Sequence, residues 1–134
     1  MSASATLRVV AAALCDARGR VLIAQRPADK HMGGRWEFPG GKVGIQESEH
    51  EALIRELREE LGVEARGPQF CLRLIHAYPD RTVELSFWIV RDFAGAPRGL
   101  DGQQLQWVPA AQLGEQDILE ADRPFIEALQ RLLQ

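Results

Sequence analysis

An α/β/α sandwich, with helices covering both faces of a central mixed β-sheet, is the fold this 134-residue sequence predicts. Three observations lead to it. Short apolar runs of strand character recur along the chain, one strongly periodic helix lies among them, and an amphipathic helix closes the chain. A hydrophobic fraction of 46% over this length supports one core, so residues 1–134 are expected to form a single α/β domain.

Leu7 to Leu14 is dense in Val, Ala and Leu, and Val21 to Ala24 follows the turn-like Asp16-Ala-Arg-Gly19; the pair reads as a hairpin of core strands. Pro27 to Gly44 is rich in Gly and Pro yet contains Trp36 and Phe38, which predicts an ordered loop with short strands, of a length that usually serves a function. Glu47 to Leu61 is the strongest helix signal. Leu53, Leu57 and Leu61 recur every four residues, Gly62 supplies the stop, and the acidic start suits the helix dipole. Phe70 to Ile75 and Thr82 to Val90 read as strands joined by the turn Tyr78-Pro-Asp-Arg81. A short strand, Gln103 to Val108, precedes a brief helix at Ala110 to Leu113. The final helix, Arg123 to Leu133, gathers Phe125, Ile126, Leu129, Leu132 and Leu133 on its apolar face.

A net charge of −3 offers no basic footprint for neutralising many phosphates, which excludes nucleic acid as a stable partner and leaves a small phosphate-bearing ligand held through a metal. Cys15 and Cys71 lie far apart and outside any CxxC or Cys/His cluster, so both read as buried free thiols. Met1 to Thr6 is small and polar, Val9 to Leu14 has no basic flank, and no run approaches the ~20 apolar residues of a membrane span. The expectation is a cytoplasmic protein with no membrane partner, a monomer or a homodimer.

Glu56, Glu59 and Glu60 fall on one strip of the central helix and are expected to converge. Like charges at such spacings cost roughly 0.2–0.5 kcal/mol per pair, and Glu59 and Glu60 also sit at the negative end of the helix dipole. A hard divalent cation such as Mg²⁺ resolves the conflict, because it prefers carboxylate and carbonyl oxygens and recruits substrate phosphates to its shell. The plainer alternative is a solvated acidic face with Glu51 paired to Arg55.

The wider frame, Gly41-x₅-Glu47-x₇-Arg55-Glu56-Leu57-x-Glu59-Glu60-x-Gly62-Val63, resembles the Nudix box at every fixed position, over residues 41–63. The resemblance implies a Nudix fold, Mg²⁺- or Mn²⁺-dependent cleavage of a phosphoanhydride bond, and a loop–helix–loop site. In that site the Glu56, Glu59 and Glu60 carboxylates and the Gly40 carbonyl hold metal. Glu56 or Glu59 accepts a proton from water, Arg55 fixes the carboxylates, and Glu47 is an outer support.

Outside the box, Arg26-Pro-Ala-Asp-Lys-His-Met32, Trp36-Glu-Phe-Pro-Gly-Gly-Lys42 and Tyr78-Pro-Asp-Arg81 are similar to stretches of the MutT branch, which acts on 8-oxo-dGTP. This implies a nucleotide site lined by Arg26, His31, Glu37, Phe38, Pro39 and Gly40, with Arg26 suited to phosphate or ribose and Phe38 packed near the base. An exposed strand-end cation, a core phenylalanine and a solvated loop histidine are the simpler readings of Arg26, Phe38 and His31. Asp101, in Gly99-Leu-Asp-Gly102, stands where MutT-like proteins carry a glutamate implicated in metal binding or water activation. It is one methylene shorter, and a plain Asp-Gly turn accounts for it equally well.

Asp122 stands where MutT-like proteins place an asparagine against the base. An amide both donates and accepts, which suits oxidised guanine; an ionised carboxylate only accepts, which suits the amino group of cytosine or adenine, and protonation restores a donor. Ala121-Asp-Arg-Pro124 and Leu22-Ile-Ala-Gln-Arg-Pro27 also resemble the Nudix branch acting on CTP and 5-substituted cytosine nucleotides. A third reading makes Asp122 the cap of the last helix. The resemblance thus implies a nucleoside triphosphate pyrophosphohydrolase that clears 8-oxo-dGTP from the nucleotide pool. A cytosine-nucleotide hydrolase is the alternative substrate reading, and a non-catalytic nucleotide sensor the alternative class.

Overall fold

The period-two alternation of the apolar runs decides the layering. In the computed structural model, which describes residues 5–133, the chain forms β1 (Ala5–Leu14), β2 (Arg20–Gln25), β3 (Trp36–Glu37), β4 (Gly40–Lys42), α1 (Glu49–Leu61) and β5 (Glu64–Arg66), then β6 (Gln69–Ala77), β7 (Arg81–Val90), β8 (Asp92–Ala94), β9 (Leu105–Pro109) and α2 (Arg123–Leu132). Along β1, Val10, Ala12 and Leu14 join one buried cluster while Ala11 and Ala13 join another; Leu22 of β2 follows the first set, and Val21 and Ile23 the second. The first cluster is closed by Ala52, Leu53, Leu57 and Leu61 of α1, the second by Phe125, Ile126 and Leu129 of α2. Helices therefore cover opposite faces of β1, as the sandwich requires. The reading of Met1 to Thr6 rests in part on residues 1–4, which lie outside the described residues.

The main sheet is mixed, in the order β4-β1-β7-β6, with β1 parallel to β7 from Ala5↔Arg81 to Leu14↔Val90 and antiparallel to β4. A second sheet, β3-β2-β9, is antiparallel, and β5 pairs with β8. The expected hairpin of the first two strands is therefore corrected. They meet at a single bridge, Cys15↔Val21, because β4 and β7 occupy both edges of β1 and leave none for β2. Between them Asp16 accepts the N–H groups of Arg18 and Arg20, and Gly19 takes φ 75°, so the turn delivers β2 to the other sheet.

α1 begins two residues later than the acidic run suggests. Ser48 is the N-cap and forms a reciprocal capping box with Glu51, while Gly62 at φ 72° ends the helix where expected. The brief helix is a 3₁₀ turn at Ala110–Glu115. Leu132 is 53% exposed and leaves the predicted apolar face of α2, and Cys71 is half-buried rather than buried, since β6 is an edge strand. Among the described residues, no helix is long and apolar enough to cross a membrane.

Candidate active site

Arg55, halfway along α1, is the hub of one group of side chains. Its Nε and Nη2 donate to the two oxygens of Glu47 at 2.7 and 2.9 Å, Nη1 donates to Glu56 at 3.0 Å and Glu59 at 3.2 Å, and Nη2 also reaches the Lys42 carbonyl at 3.0 Å. Glu47 lies just outside the helix and accepts the Gly44 N–H at 2.7 Å as well. The Arg55 guanidinium, with that N–H, holds its carboxyl down at about 2. Glu51, which the solvated-face reading pairs with Arg55, instead closes the capping box with Ser48.

Two glycines bring this group against the sheet. A Cβ on Gly40 would lie 1.9 Å from the Val10 carbonyl oxygen of β1, and one on Gly41 would lie 2.3–2.5 Å from the Glu56 carboxyl. The backbone of β4 is thus pressed on β1 from one side, and the Glu56 carboxylate rests on it from the other.

Of the three helix carboxylates, Glu56 and Glu59 share one Arg55 nitrogen, with Glu59 mostly exposed, whereas Glu60 is half-buried among other acids. Burial first, then the charges of Glu56, Glu37 and Asp101, push the Glu60 carboxyl up to about 8, while a Gly40 N–H offsets part of the shift. Burial likewise raises Glu56, against the pull of Arg55. Among the described residues, no three His, Cys, Asp or Glu side chains are gathered tightly enough to hold an ion. The donor chemistry nevertheless fits a hard cation. The donors are all oxygen, their charges are uncompensated around Glu60, and a divalent ion would reverse the shift on Glu60 by favouring its charged form.

Asp101 reaches this neighbourhood from a distant segment. The turn Gly99–Gly102 is closed by Gly102 N–H to Gly99 O at 3.0 Å and docks on the end of α1, where Leu100 N–H meets the Glu60 carbonyl at 3.1 Å and Arg98 N–H meets the Leu61 carbonyl at 3.0 Å. A cleft of about 280 Å³ opens beside it, lined by Gln25, Arg26, Gly34, Asp101, Gln103 and Gln104 among others. Gln25 stands in the Leu22–Pro27 stretch, whereas Gln103 and Gln104 belong to no motif and nothing in their local sequence singles them out.

A second group surrounds Asp122. Arg26 Nη1 pairs with both oxygens of Glu37 at 3.2 and 3.0 Å, and its Nε donates to the His31 carbonyl at 2.9 Å, so the cation is already engaged within the protein. The His31 side chain is exposed on the loop this bond closes. The expectation that the Phe38 ring packs near a base is corrected: the ring is in the core, edge-on to Phe125 at 5.0 Å. Its backbone matters instead, because Phe38 N–H donates to Asp122 Oδ2 at 3.2 Å, across 84 residues of sequence. Pro39, also buried, gives its carbonyl to Ala12 N–H at 2.8 Å, which fixes the approach to β4.

The helix-cap reading of Asp122 fails on this geometry. Asp122 occupies the N-cap position of α2, yet its side chain accepts no cap hydrogen bond, and Pro in the first turn has no N–H to donate one. Only 5% of the residue is exposed, and burial, reinforced by Glu37 and opposed by the Phe38 N–H and Arg26, pushes the carboxyl up to about 7.

A family model described as a NUDIX domain matches residues 10–128. The chain is 34% identical over 126 residues to the 8-oxo-dGTP diphosphatase of Escherichia coli (strain K12), covering 94% of this chain and 98% of that protein. It is 39% identical over 123 residues to the CTP pyrophosphohydrolase of the same strain, covering 92% and 91%. Among solved structures, the E. coli ORF135 protein matches with a TM-score of 0.86 at 38% identity, over 96% of this chain and 91% of that one. A MutT structure described for Aliivibrio salmonicida and Vibrio cholerae matches at 0.83 and 34% identity, over 92% and 96%.

Proposed function

Because this chain belongs to the NUDIX domain family and is a Nudix pyrophosphohydrolase, we propose that it cleaves nucleoside triphosphates to monophosphate and pyrophosphate, with 8-oxo-dGTP as preferred substrate and Mg²⁺ as metal. The observation that carries the substrate reading is the buried Asp122 carboxyl near neutrality. With Oδ2 engaged by Phe38 N–H, Oδ1 remains for a ligand. Protonated, it donates, as the asparagine of MutT-like proteins does toward the O6 of oxidised guanine. Ionised, it accepts from the amino group of cytosine, and this second reading is favoured by the 39% identity to a CTP pyrophosphohydrolase.

In this reading, Glu56, Glu59, Glu60, the Gly40 carbonyl and Asp101 hold the metal. Bound there, the ion would neutralise phosphate charge and make a water acidic enough to attack phosphorus in line with the leaving group. Arg55 orients Glu56 and Glu59 through its two Nη1 bonds, and Glu47 locks Arg55 in turn. Glu56 and Glu59 are the two carboxylates placed to take a proton from water, and Arg55 holds both. Arg26, already paired with Glu37, serves the site by holding the His31 loop and by opposing the rise that burial imposes on the Glu37 carboxyl. The activity belongs to one domain acting on free nucleotides in the cytoplasm.

The test is a panel of 8-oxo-dGTP, dGTP, CTP and 5-methyl-dCTP ranked by kcat/KM with Mg²⁺ at pH 6 and pH 8. We expect 8-oxo-dGTP to lead and its margin over the cytosine nucleotides to narrow at the higher pH. Cytosine nucleotides leading at both values would reverse the substrate assignment. Glu60→Gln should lower kcat by on the order of 10²–10³-fold without loss of fold; retained turnover would remove Glu60 from the metal site.

A further inference from the structure

The C-terminal end of α1 exposes the carbonyls of its last turn, and one side chain outside every motif takes up such a group. Gly62 N–H caps the Arg58 carbonyl, but those of Glu60 and Leu61 point beyond the helix. The backbone of Arg98 and Leu100 answers them, and Gln103 adds a second donor to the Glu60 carbonyl, Nε2 to O at 3.2 Å. The other end of the same amide is also engaged: Gln103 Oε1 accepts the Asp101 N–H at 2.9 Å. One amide therefore spans from the turn bearing Asp101 to the backbone of Glu60, and donor and acceptor are each matched to a backbone group. The backbone below leaves no slack, since a Cβ on Gly99 would lie 2.0 Å from the Gln103 carbonyl oxygen.

We propose that Gln103 is a positioning residue for metal binding: it clamps the turn Gly99–Gly102 onto the end of α1 so that the short Asp101 carboxylate shares one cation with Glu60. The proposal rests on the reading of Glu60 as a metal ligand. It accounts for how a side chain one methylene shorter than glutamate serves here, because the clamp draws the whole turn toward the helix. It also explains why an uncharged residue is suited to the task. A carboxylate at position 103 could accept from Asp101 N–H but could not donate to the Glu60 carbonyl, and would add charge where Glu56, Glu37 and Asp101 already press on Glu60. Gln103 also lines the cleft, alongside Asp101.

Mn²⁺ binding to the substrate-free protein, followed by the loss of the free-ion EPR signal, tests this without turnover. Gln103→Met keeps the length and removes both polar ends. We expect it to weaken Mn²⁺ binding about tenfold, the low end for a residue that orients a ligand, with Asp101→Asn producing a loss of similar size. The double variant should bind no more weakly than either single one, because both changes remove the same contribution. A merely structural role would lower the melting temperature of the metal-free protein and leave Mn²⁺ affinity unchanged. Glu60→Gln separates the two levels. If it binds Mn²⁺ as the parent does, the metal-site reading itself falls. If it loses binding while Gln103→Met does not, the role of Gln103 is overturned. Multiplying losses in the double variant, or parental affinity in Asp101→Asn, would overturn the link through Asp101.

Discussion

Two groups of carboxylates, each gathered by one arginine, differ in how they are assembled and in the charge they end with. Around Arg55 every partner comes from Lys42 to Glu59, one loop and one helix, and Glu47 is driven down to about 2. Around Arg26 its own partners, Glu37 and the His31 carbonyl, are local, but the group is completed by a link of 84 residues from Phe38 to Asp122. There burial outweighs the arginine, whose hydrogen bonds go to Glu37 and the His31 carbonyl, and Asp122 is driven up to about 7. The first group contains a carboxylate that stays anionic in any ordinary buffer, which suits work on cations and phosphates. The second holds a carboxyl at the point where it changes from donor to acceptor, which suits discrimination between bases.

The glycines of β4 lie between the groups and separate them with the largest effect. Gly40→Ala places a methyl against the backbone of β1, which cannot yield as a side chain can, so both groups should fail together. We expect a loss of ~3 kcal/mol or more in stability, seen as a fall of ~10 °C or more in melting temperature. Gly41→Ala meets only the carboxyl end of Glu56. It should fold with a melting temperature close to the parent's while its Mg²⁺-dependent turnover drops, as Glu56 is displaced. Equal loss of stability in both variants would show that the Glu56 contact is structural and that the groups are not separable at β4.

Arg55→Met removes the hub of the first group and leaves the second intact. We expect kcat/KM to fall about 10–100-fold with the ranking of substrates unchanged. The Glu47 carboxyl should return from about 2 toward the ordinary carboxylate range, followed by NMR titration. The sign follows from that depression: Glu47 favours the folded state above the usual carboxylate range and loses the contribution as pH falls toward 2. The variant should therefore be less stable near neutrality and converge with the parent in strong acid. A changed substrate ranking would mean that the two groups are coupled.

This division also explains what could be read from the sequence. The box spacing, the leucine period, Gly62 and the strands at β6, β7 and β9 are local patterns, and the fold places them within a few residues of expectation. Ser48-x-x-Glu51 is equally local and marks the true start of α1, but the acidic run before it masks the signal. The other main failures are long-range. Nothing near β1 says that β7 will take the edge a hairpin partner would need, and nothing near Phe38 says that its ring belongs to the core while its N–H belongs to Asp122. Gln103 is silent for the same reason, since its partners are the Glu60 carbonyl, 43 residues away, and a neighbouring backbone N–H. In the function proposed for this chain, chemistry is written in a local motif and selectivity in contacts that exist only after folding.

Asp122→Asn gives the smallest effect and the sharpest view of the second group. The folded carboxyl titrates near 7, against about 3.9 in an unfolded chain. Between those values the folded state keeps a proton that the unfolded state releases, so the stability Asp122 contributes is present below about pH 4 and is lost as pH rises toward 7. Asparagine keeps an acceptor for Phe38 N–H and has no proton to lose. The variant should therefore gain on the parent as pH rises from 5 toward 7 and keep that gain at pH 8, read as a melting-temperature difference that widens with pH. The same substitution should raise the preference for 8-oxo-dGTP over CTP about tenfold at pH 8, worth ~1.4 kcal/mol, and hardly at all at pH 5, where the native carboxyl already carries its proton. A melting difference that is flat with pH would place the titration of Asp122 outside this window, and the donor required for oxidised guanine would then have to come from another residue.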